Sequence, residues 1–204
     1  MKKIVLSLIA LTHFLTLAAQ TPALEWAKGI GGPGQERGIG MVLDAAGNVY
    51  TTGFFTDTVD FDPGVGVYKL GAGPVGATFI SKLDVNGNFV WAKSFNEVIA
   101  TGGGNSYGFA IAIDGSGNIY TSGQFYGTVD FDPGIGVNVL NGIDDIFISK
   151  LDANGNFVWA KNVGGAGTDS GSSIKVDGSG DVCVGGYFTN TVDFDPGIAV
   201  TNLS

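Results

Sequence analysis

Short runs of β-branched and aromatic residues alternate along the chain with turns rich in Gly, Asn and Asp. Runs of this length and composition are typical of β-strands. They predict four strands, A to D, in a first unit: Ile39–Leu43, Val49–Phe55, Phe79–Leu83 and Phe89–Phe95. A second unit repeats them at Phe109–Ile113, Ile119–Phe125, Ile146–Leu151 and Phe157–Val163.

Several of these strands carry small or apolar residues on both faces, as where Ile39 and Met41 alternate with Gly40 and Val42. A sheet with one wet face would alternate apolar with polar residues, so the pattern predicts sheets covered on both faces. With 35 Gly in 204 residues, no long helix is expected after the N-terminal apolar run.

An internal repeat organises the strands. The heptapeptide Thr-Val-Asp-Phe-Asp-Pro-Gly begins at Thr58 and recurs unchanged at Thr128 and Thr191. The repeat length is 68 residues from Trp91 to Trp159 and 65 from Trp26 to Trp91. A repeat of this kind is the mark of a stacked or radial architecture.

Hairpin turns join A to B and C to D. Asp-x-x-Gly-Asn or its Gly-Asp variant follows strand A at Asp44, Asp114 and Asp177, and Asp-x-Asn-Gly-Asn follows strand C at Asp84 and Asp152. Four-stranded antiparallel sheets, covered on both faces and repeated radially, predict an all-β fold, a β-propeller. The unit exceeds the usual roughly 40–45 residues of a blade, and the surplus lies in the B–C connection.

The combination of Trp-Ala-Lys, Gly-Gly, Gly-Asn-x-Tyr-x-x-Gly and Phe-Ile-Ser-Lys-Leu-Asp resembles the bacterial secreted β-propeller repeat family, often described as seven-bladed. The resemblance extends from Trp26 to the end of the chain. It implies a propeller scaffold and no single activity.

The repeats provide about two and a half blades. A lone D strand (Trp26–Ile30, within residues 24–30) precedes a blade over 38–95, a second over 108–163 and a partial one over 171–204. Closed propellers need about four blades or more, so we expect a fragment completed by further blades, in preference to a ring of copies.

Residues 1–20 have the pattern of a signal peptide, with Lys2 and Lys3 before an apolar run and small residues near Ala19. Cleavage near residue 20 predicts a protein that is secreted or on the outer cell surface, with no membrane insertion.

Charge and composition exclude several functions. After cleavage, 8 basic residues face 19 acidic ones, a net charge near −11, which disfavours nucleic-acid partners. No His remains, which excludes His-dependent nucleophilic catalysis and His-ligated metal sites. The lone Cys183 takes the position of Tyr50 and Tyr120 and is expected to be a packed, inert thiol.

Candidate site residues lie in the B–C loops, on the face shared with the variable D–A loops. They are Asp60, Asp62, Asp130, Asp132, Asp193 and Asp195. Each pair flanks a Phe, so its carboxylates would point the same way about 7 Å apart. Their repulsion could be offset by Lys82 and Lys150, by backbone N–H groups of the Pro-Gly turn or by bound Ca²⁺. We favour a capping role for one Asp of each pair, with the other solvated or paired with Lys, over calcium binding; no cofactor is required.

Other motifs have structural explanations. The Trp-Ala-Lys tryptophans are expected to pack between blades and not to form a ligand platform. The Gly-rich segments at Gly31 and Gly164 lack the helix and Lys of a phosphate-binding loop.

Three functions remain. The first is a non-catalytic binding or adhesion module for an extracellular protein or polysaccharide; the second is a carboxylate-based polysaccharide hydrolase or lyase; the third is a calcium-stabilised structural scaffold. Catalytic carboxylates should break the repeat, whereas the conspicuous Asp residues recur in every unit, which favours a non-enzyme.

Overall fold

A computed structural model describes residues 24–73, 75–98, 103–197 and 199–204. The predicted signal peptide, residues 1–20, lies outside this range. The strands are β1 (Glu36–Leu43), β2 (Val49–Phe55), β3 (Thr58–Asp60), β4 (Lys69–Gly71), β5 (Ala77–Leu83), β6 (Phe89–Glu97), β7 (Gly104–Ile113), β8 (Ile119–Asp130), β9 (Val139–Leu151), β10 (Phe157–Gly165), β11 (Ser170–Val176), β12 (Val182–Tyr187), β13 (Val192–Asp193) and β14 (Asn202–Leu203). In this part of the chain, no helix is long and apolar enough to cross a membrane.

The strands pair in the order that the sequence predicts. In the first unit the order is β1-β2-β5-β6, and in the second it is β7-β8-β9-β10, with all neighbours antiparallel. In the third unit, β11 pairs with β12. The fold is therefore all-β with propeller-type four-stranded blades, as predicted.

The predicted lone strand Trp26–Ile30 is not formed, because no neighbouring strand is present to pair with its edges in the described part of the chain. Only Gly31, just beyond it, makes a bridge, to Asp60. The segment nevertheless packs against the first unit: the indole of Trp26 donates to the Val85 carbonyl at 3.0 Å.

The long B–C connection is a second hairpin inserted between strands B and C. In the first unit it is the separate pair β3–β4. In the second unit β8 and β9 run continuously into it and end at the pair Asp130–Val139. In the third unit it is β13–β14. We call these three elements the inserted hairpins.

Each inserted hairpin also reaches the preceding unit. Asp130 pairs with Asn96 at the end of β6, and Asp193 pairs with Gly164 at the end of β10. The Gly31–Asp60 bridge occupies the same repeat position. The first Asp of the heptapeptide therefore lies at the junction between successive units.

Buried aromatic rings fix each inserted hairpin to its own blade. Phe61 contacts Phe55 and Phe79 with ring centroids 5.2 and 5.1 Å apart. The second unit repeats this set with Phe125, Phe131 and Phe147. All six rings are buried, and we call each set a Phe trio.

Candidate binding face

The first Asp of each heptapeptide closes the base of its inserted hairpin. In the first unit, Asp60 Oδ1 accepts hydrogen bonds from the backbone N–H of Asp62 at 3.1 Å and of Tyr68 at 2.8 Å. Asp130 and Asp193 accept the equivalent pairs of bonds at 2.7 to 3.0 Å. These carboxylates therefore hold the two ends of an eight-residue loop together.

The second Asp shapes the turn itself. Asp62 Oδ1 accepts the N–H of Gly64 at 2.7 Å, and Asp132 and Asp195 do the same for Gly134 and Gly197. An Asp that bonds two residues ahead, across a Pro, is a standard device of tight turns. The other carboxylate oxygen of Asp62 lies over Gly66, where an added Cβ would be only 2.1 Å away.

At Asp60 and Asp193, these hydrogen bonds favour the ionised form of the carboxylate. The N–H groups of Tyr68 and Asp62, with a smaller contribution from Lys69, hold the pKa of Asp60 below its ordinary value. The N–H groups of Thr201 and Asp195 lower the pKa of Asp193 in the same way. Backbone donors therefore compensate for the negative charge of these two carboxylates.

The alternative in which these carboxylates pair with Lys82 and Lys150 is wrong. The Lys82 Nζ atom lies 4.9 Å from the centre of the Tyr50 ring, and Lys150 lies at the same distance over Tyr120. Both lysines lie at the end of strand C that is next to the C–D turn. The inserted hairpin precedes the other end of this strand, so the lysines cannot reach it.

Calcium binding at the six Asp residues stays a prediction. Within the described ranges, no group of three or more His, Cys, Asp or Glu side chains is placed to hold a metal ion. Ca²⁺ takes six to eight oxygen ligands. Any calcium site here would need several backbone oxygens or waters in addition to one Asp pair.

The ends of the inserted hairpins expose aliphatic side chains, which the sequence analysis did not single out. Val65 and Ile135 are fully exposed at 108% and 107%, and Val67, Val137 and Val200 are exposed at 70 to 76%. We call these five the tip residues. The signal in the sequence was an apolar residue at the first and third positions after each Asp-Pro-Gly.

The tryptophans pack as expected. Trp91 makes an edge contact with Tyr50, with centroids 6.1 Å apart, and lies next to Gly155 of the following unit. Trp159 contacts Tyr120 at 6.2 Å. Trp26 lies against Gly87, as Trp91 lies against Gly155. The rings therefore join units to one another.

The expectation of a packed thiol at Cys183 is wrong, because this side chain is exposed. Its repeat equivalents Tyr50 and Tyr120 are 1% exposed, since a D strand with its Trp covers each of them. No such strand lies beside β12 in the described part of the chain.

The buried carboxylate of Asp145 breaks the repeat. Asp145 in β9 is 6% exposed and stands where the first unit has Ala77. Burial raises its pKa, with smaller contributions from Asp169 and Asp144, despite hydrogen bonds from Asn162 at 3.0 Å and from the Ile143 N–H. The sequence signal was an Asp-Asp pair in place of Gly-Ala.

Asp145 lines an open groove of about 530 Å³ at the edge of the second unit, together with Tyr126, Asn141 and Gly165. The nearby Asp169 is fully buried and accepts hydrogen bonds from the N–H groups of Gly165 and Thr189. The groove is thus lined by one acid whose pKa is raised, while a second acid, Asp169, is buried nearby and does not line it.

Comparison with known proteins gives a distant likeness. The chain is 21% identical to an uncharacterized WD repeat-containing protein of Acanthamoeba polyphaga mimivirus, in an alignment of 198 residues that covers 81% of this chain. The chain spans only 13% of the length of that relative. No family model matches. The relationship agrees with a repeat architecture of propeller-type blades.

Proposed function

We propose that this protein is an exported, non-catalytic β-propeller module that binds an extracellular protein or polysaccharide through its row of inserted hairpins. The observation that supports it most directly is the exposure of the tip residues, five aliphatic side chains that recur at equivalent positions in the units. Contiguous exposed apolar patches rimmed by polar residues are characteristic of interaction surfaces.

The Asp residues of the heptapeptide and the tip residues have different roles. Its carboxylates bond the backbone of their own loop, so they hold the loop in one conformation. A rigid loop loses little conformational entropy when it binds, which favours affinity. We infer that the Asp residues shape the face and that the tip residues contact the partner.

The distant relative supports the same assignment at the level of architecture, because its description names WD repeats. We further propose that the chain belongs with secreted bacterial propeller repeats, since the Trp-Ala-Lys and Phe-Ile-Ser-Lys-Leu-Asp motifs resemble that family. Mass spectrometry of the protein recovered from outside the cell would show a new N-terminus near residue 20 if it is exported. Retention of residues 1–20 would contradict export.

The binding face can be tested on an array of purified polysaccharides and extracellular proteins. A variant with Thr at Val65, Val67, Ile135, Val137 and Val200 should lose the interactions of the native protein. The control carries Thr at Val85, Val90 and Val158, which are 45 to 50% exposed outside the inserted hairpins. Equal binding by the two variants would show that the tips are not the contact surface.

A carboxylate-dependent polysaccharide hydrolase or lyase is the second candidate, and Asp145 is the observation that favours it. Its raised pKa suits a general acid, and Asp169 provides a second carboxylate nearby. Release of reducing ends or unsaturated sugars from an acidic or neutral polysaccharide, abolished by Asp145→Asn, would support it. If the native protein turns over none of the ligands that it binds, the hydrolase or lyase is excluded and the binding module is supported.

A further inference from the structure

Three side chains that break the repeat line the same groove. The open groove beside Asp145 is also lined by Tyr126 and Asn141, and we call it the Asp145 groove. All of its lining residues, from Tyr126 to Gly165, belong to the second unit, in which all four strands are present. The first unit has smaller residues at the three equivalent positions: Thr56, Gly71 and Ala77.

Tyr126 stands where the other units have a threonine with a structural role. Thr56 Oγ1 accepts the Gln35 N–H at 2.8 Å, and Thr189 Oγ1 accepts the Thr168 N–H at 2.7 Å. Each bond ties the residue after strand B to the start of strand A in the same unit. Tyr126 has no hydroxyl on its Cβ and cannot make this bond, and 51% of its surface is exposed. An aromatic surface at the groove thus replaces a stabilising contact.

Asp145 also replaces a residue that favours stability. Its counterpart Ala77 belongs to the apolar core of the first unit, whereas Asp145 is a carboxylate that is 6% exposed. Burial of a charged group disfavours folding unless hydrogen bonds compensate for it. In the described ranges, two hydrogen bonds reach this carboxylate, from the N–H of Ile143 at 3.2 Å and from Asn162 at 3.0 Å. An ionised carboxylate accepts about four, so acceptor capacity remains for a ligand.

The residues around Asp145 complete a polar site. An added Cβ at Gly164 would collide with the Asp145 carboxylate, and the first unit has Asn96 at this position. Asn141 Oδ1 accepts the Thr128 hydroxyl at 2.9 Å, so the N–H groups of the same amide can donate to a ligand in the groove. The groove therefore offers an aromatic ring, a hydrogen-bond acceptor and a hydrogen-bond donor.

We propose that the Asp145 groove binds a neutral pyranose residue of a polysaccharide. The face of the sugar that carries C–H groups packs on the ring of Tyr126, while its hydroxyls donate to Asp145 and accept from Asn141. Small-ligand sites combine apolar or aromatic walls with a few convergent polar groups, in cavities of about 300–1,000 Å³. The volume of the groove, about 530 Å³, lies in this range. The site goes beyond the proposed function, because the tip residues take no part in it.

A cationic group, such as a lysine of a partner protein, is the other ligand that a buried carboxylate could take. The amide of Asn141 distinguishes the two ligands, since its N–H groups need an acceptor. A sugar hydroxyl both donates and accepts hydrogen bonds, whereas an ammonium group only donates them. The donor beside the carboxylate therefore favours the sugar.

The test uses the full chain on an array of neutral oligosaccharides, followed by calorimetric titration of the oligosaccharide that binds most tightly. The triple variant Tyr126→Thr, Asn141→Gly and Asp145→Ala restores the residues of the first unit, so its thermal midpoint should stay close to that of the native protein. It should bind at least tenfold more weakly, because ring, donor and acceptor are all removed.

Two single variants accompany it. Asp145→Asn keeps the shape of the side chain but removes its charge, and should weaken binding about tenfold because charge-assisted hydrogen bonds are lost. Tyr68→Asn is the matched control: it exchanges a 37% exposed tyrosine of the first unit for its counterpart in the second, Asn138, and should bind as the native protein does.

The outcomes separate this site from the tip residues. If the variant with Thr at the five tip residues keeps its affinity for the oligosaccharide and the triple variant loses it, the groove is the sugar site. If the native protein binds no neutral oligosaccharide, or the triple variant binds like the native protein, the proposal is wrong, although binding through the tips could still hold. Loss of binding in 0.5 M NaCl would assign the groove to a cation and contradict the proposal, because salt screens charge pairs and not the contacts of a neutral sugar.

Discussion

Asn96 pairs antiparallel with Asp130, and through this pair the outermost strand of the first unit joins the inserted hairpin of the second. The same relationship links Gly164 with Asp193 and Gly31 with Asp60. The heptapeptide thus connects each unit to the segment before it. Its recurrence therefore has a structural explanation that does not depend on a ligand.

Asp130→Ala should destabilise the protein by about 1–2 kcal/mol, because it removes the acceptor for two backbone N–H groups at the junction. Asp130→Asn keeps an acceptor oxygen, so its free energy of unfolding should fall less than that of Asp130→Ala. Urea unfolding of the native protein and the two variants measures the order of their stabilities. Glu25→Gln, which removes an exposed charge, is the control; if it lowers stability as much as Asp130→Ala, net charge and not the hydrogen bonds is responsible.

Gly123→Ala should lower the free energy of unfolding by about 1–3 kcal/mol. An added Cβ would lie 1.9 Å from the Tyr107 carbonyl oxygen and 2.8 Å from the Phe147 ring. Gly53 and Gly186 face the same obstruction from Arg37 and Ser170. The matched control is Gly115→Ala, where nothing lies within 4 Å and where the first unit already has Ala45. Equal thermal midpoints for the two variants would refute this explanation.

Asp181→Asn should raise the urea midpoint slightly. In the first two units, Asn48 and Asn118 donate side-chain hydrogen bonds to Asp44 and Asp114 at 2.8 and 2.7 Å. The third unit has Asp181 at this position, which cannot donate, next to the carboxylate of Asp177. The same change at an exposed acid outside the turns, Glu25→Gln, should have no comparable effect; a lower midpoint for Asp181→Asn would contradict the expectation.

Asp145→Asn should change how stability depends on pH. Burial raises the pKa of Asp145 above its unfolded value of about 3.9, so its contribution to stability is greatest below that pH and is lost as pH rises through the folded pKa. The advantage of the variant over the native protein should therefore grow as pH rises above about 4 and then level off.

Urea unfolding of both proteins from pH 4 to pH 7 measures this difference. The carboxylates with lowered pKa, such as Asp44, Asp60 and Asp84, act in the opposite direction. They are present in both proteins and cancel in the comparison. If the stability difference between the variant and the native protein is independent of pH, or falls as pH rises, Asp145 does not have a raised pKa in the folded protein.

Removal of calcium should leave the thermal midpoint unchanged, because backbone N–H groups already occupy Oδ1 of each Asp in the heptapeptides. Melting with excess EDTA and with millimolar CaCl₂ gives the comparison, with MgCl₂ as the control for ionic strength. A rise specific to calcium, lost in Asp60→Asn, would instead support the calcium-stabilised scaffold.

The strands and their order could be predicted from sequence because their signals are local. Side-chain period, β-branched composition and Gly-Asn turns act over a few residues, and the repeat shows each signal two or three times. Val49–Phe55 was predicted with its observed bounds. The extension of β8 to Asp130 was not, because it depends on pairing with β6 and with the inserted hairpin.

By itself, the sequence determined the all-β class, the four-stranded unit and the six Asp positions that recur. Only the tertiary structure decided which groups meet: that Asp60 bonds the N–H of Tyr68, that Lys82 lies over Tyr50 and that Cys183 is exposed. Contacts between units join residues far apart in the chain, and their partners depend on how whole sheets pack. A local pattern carries no information about that packing.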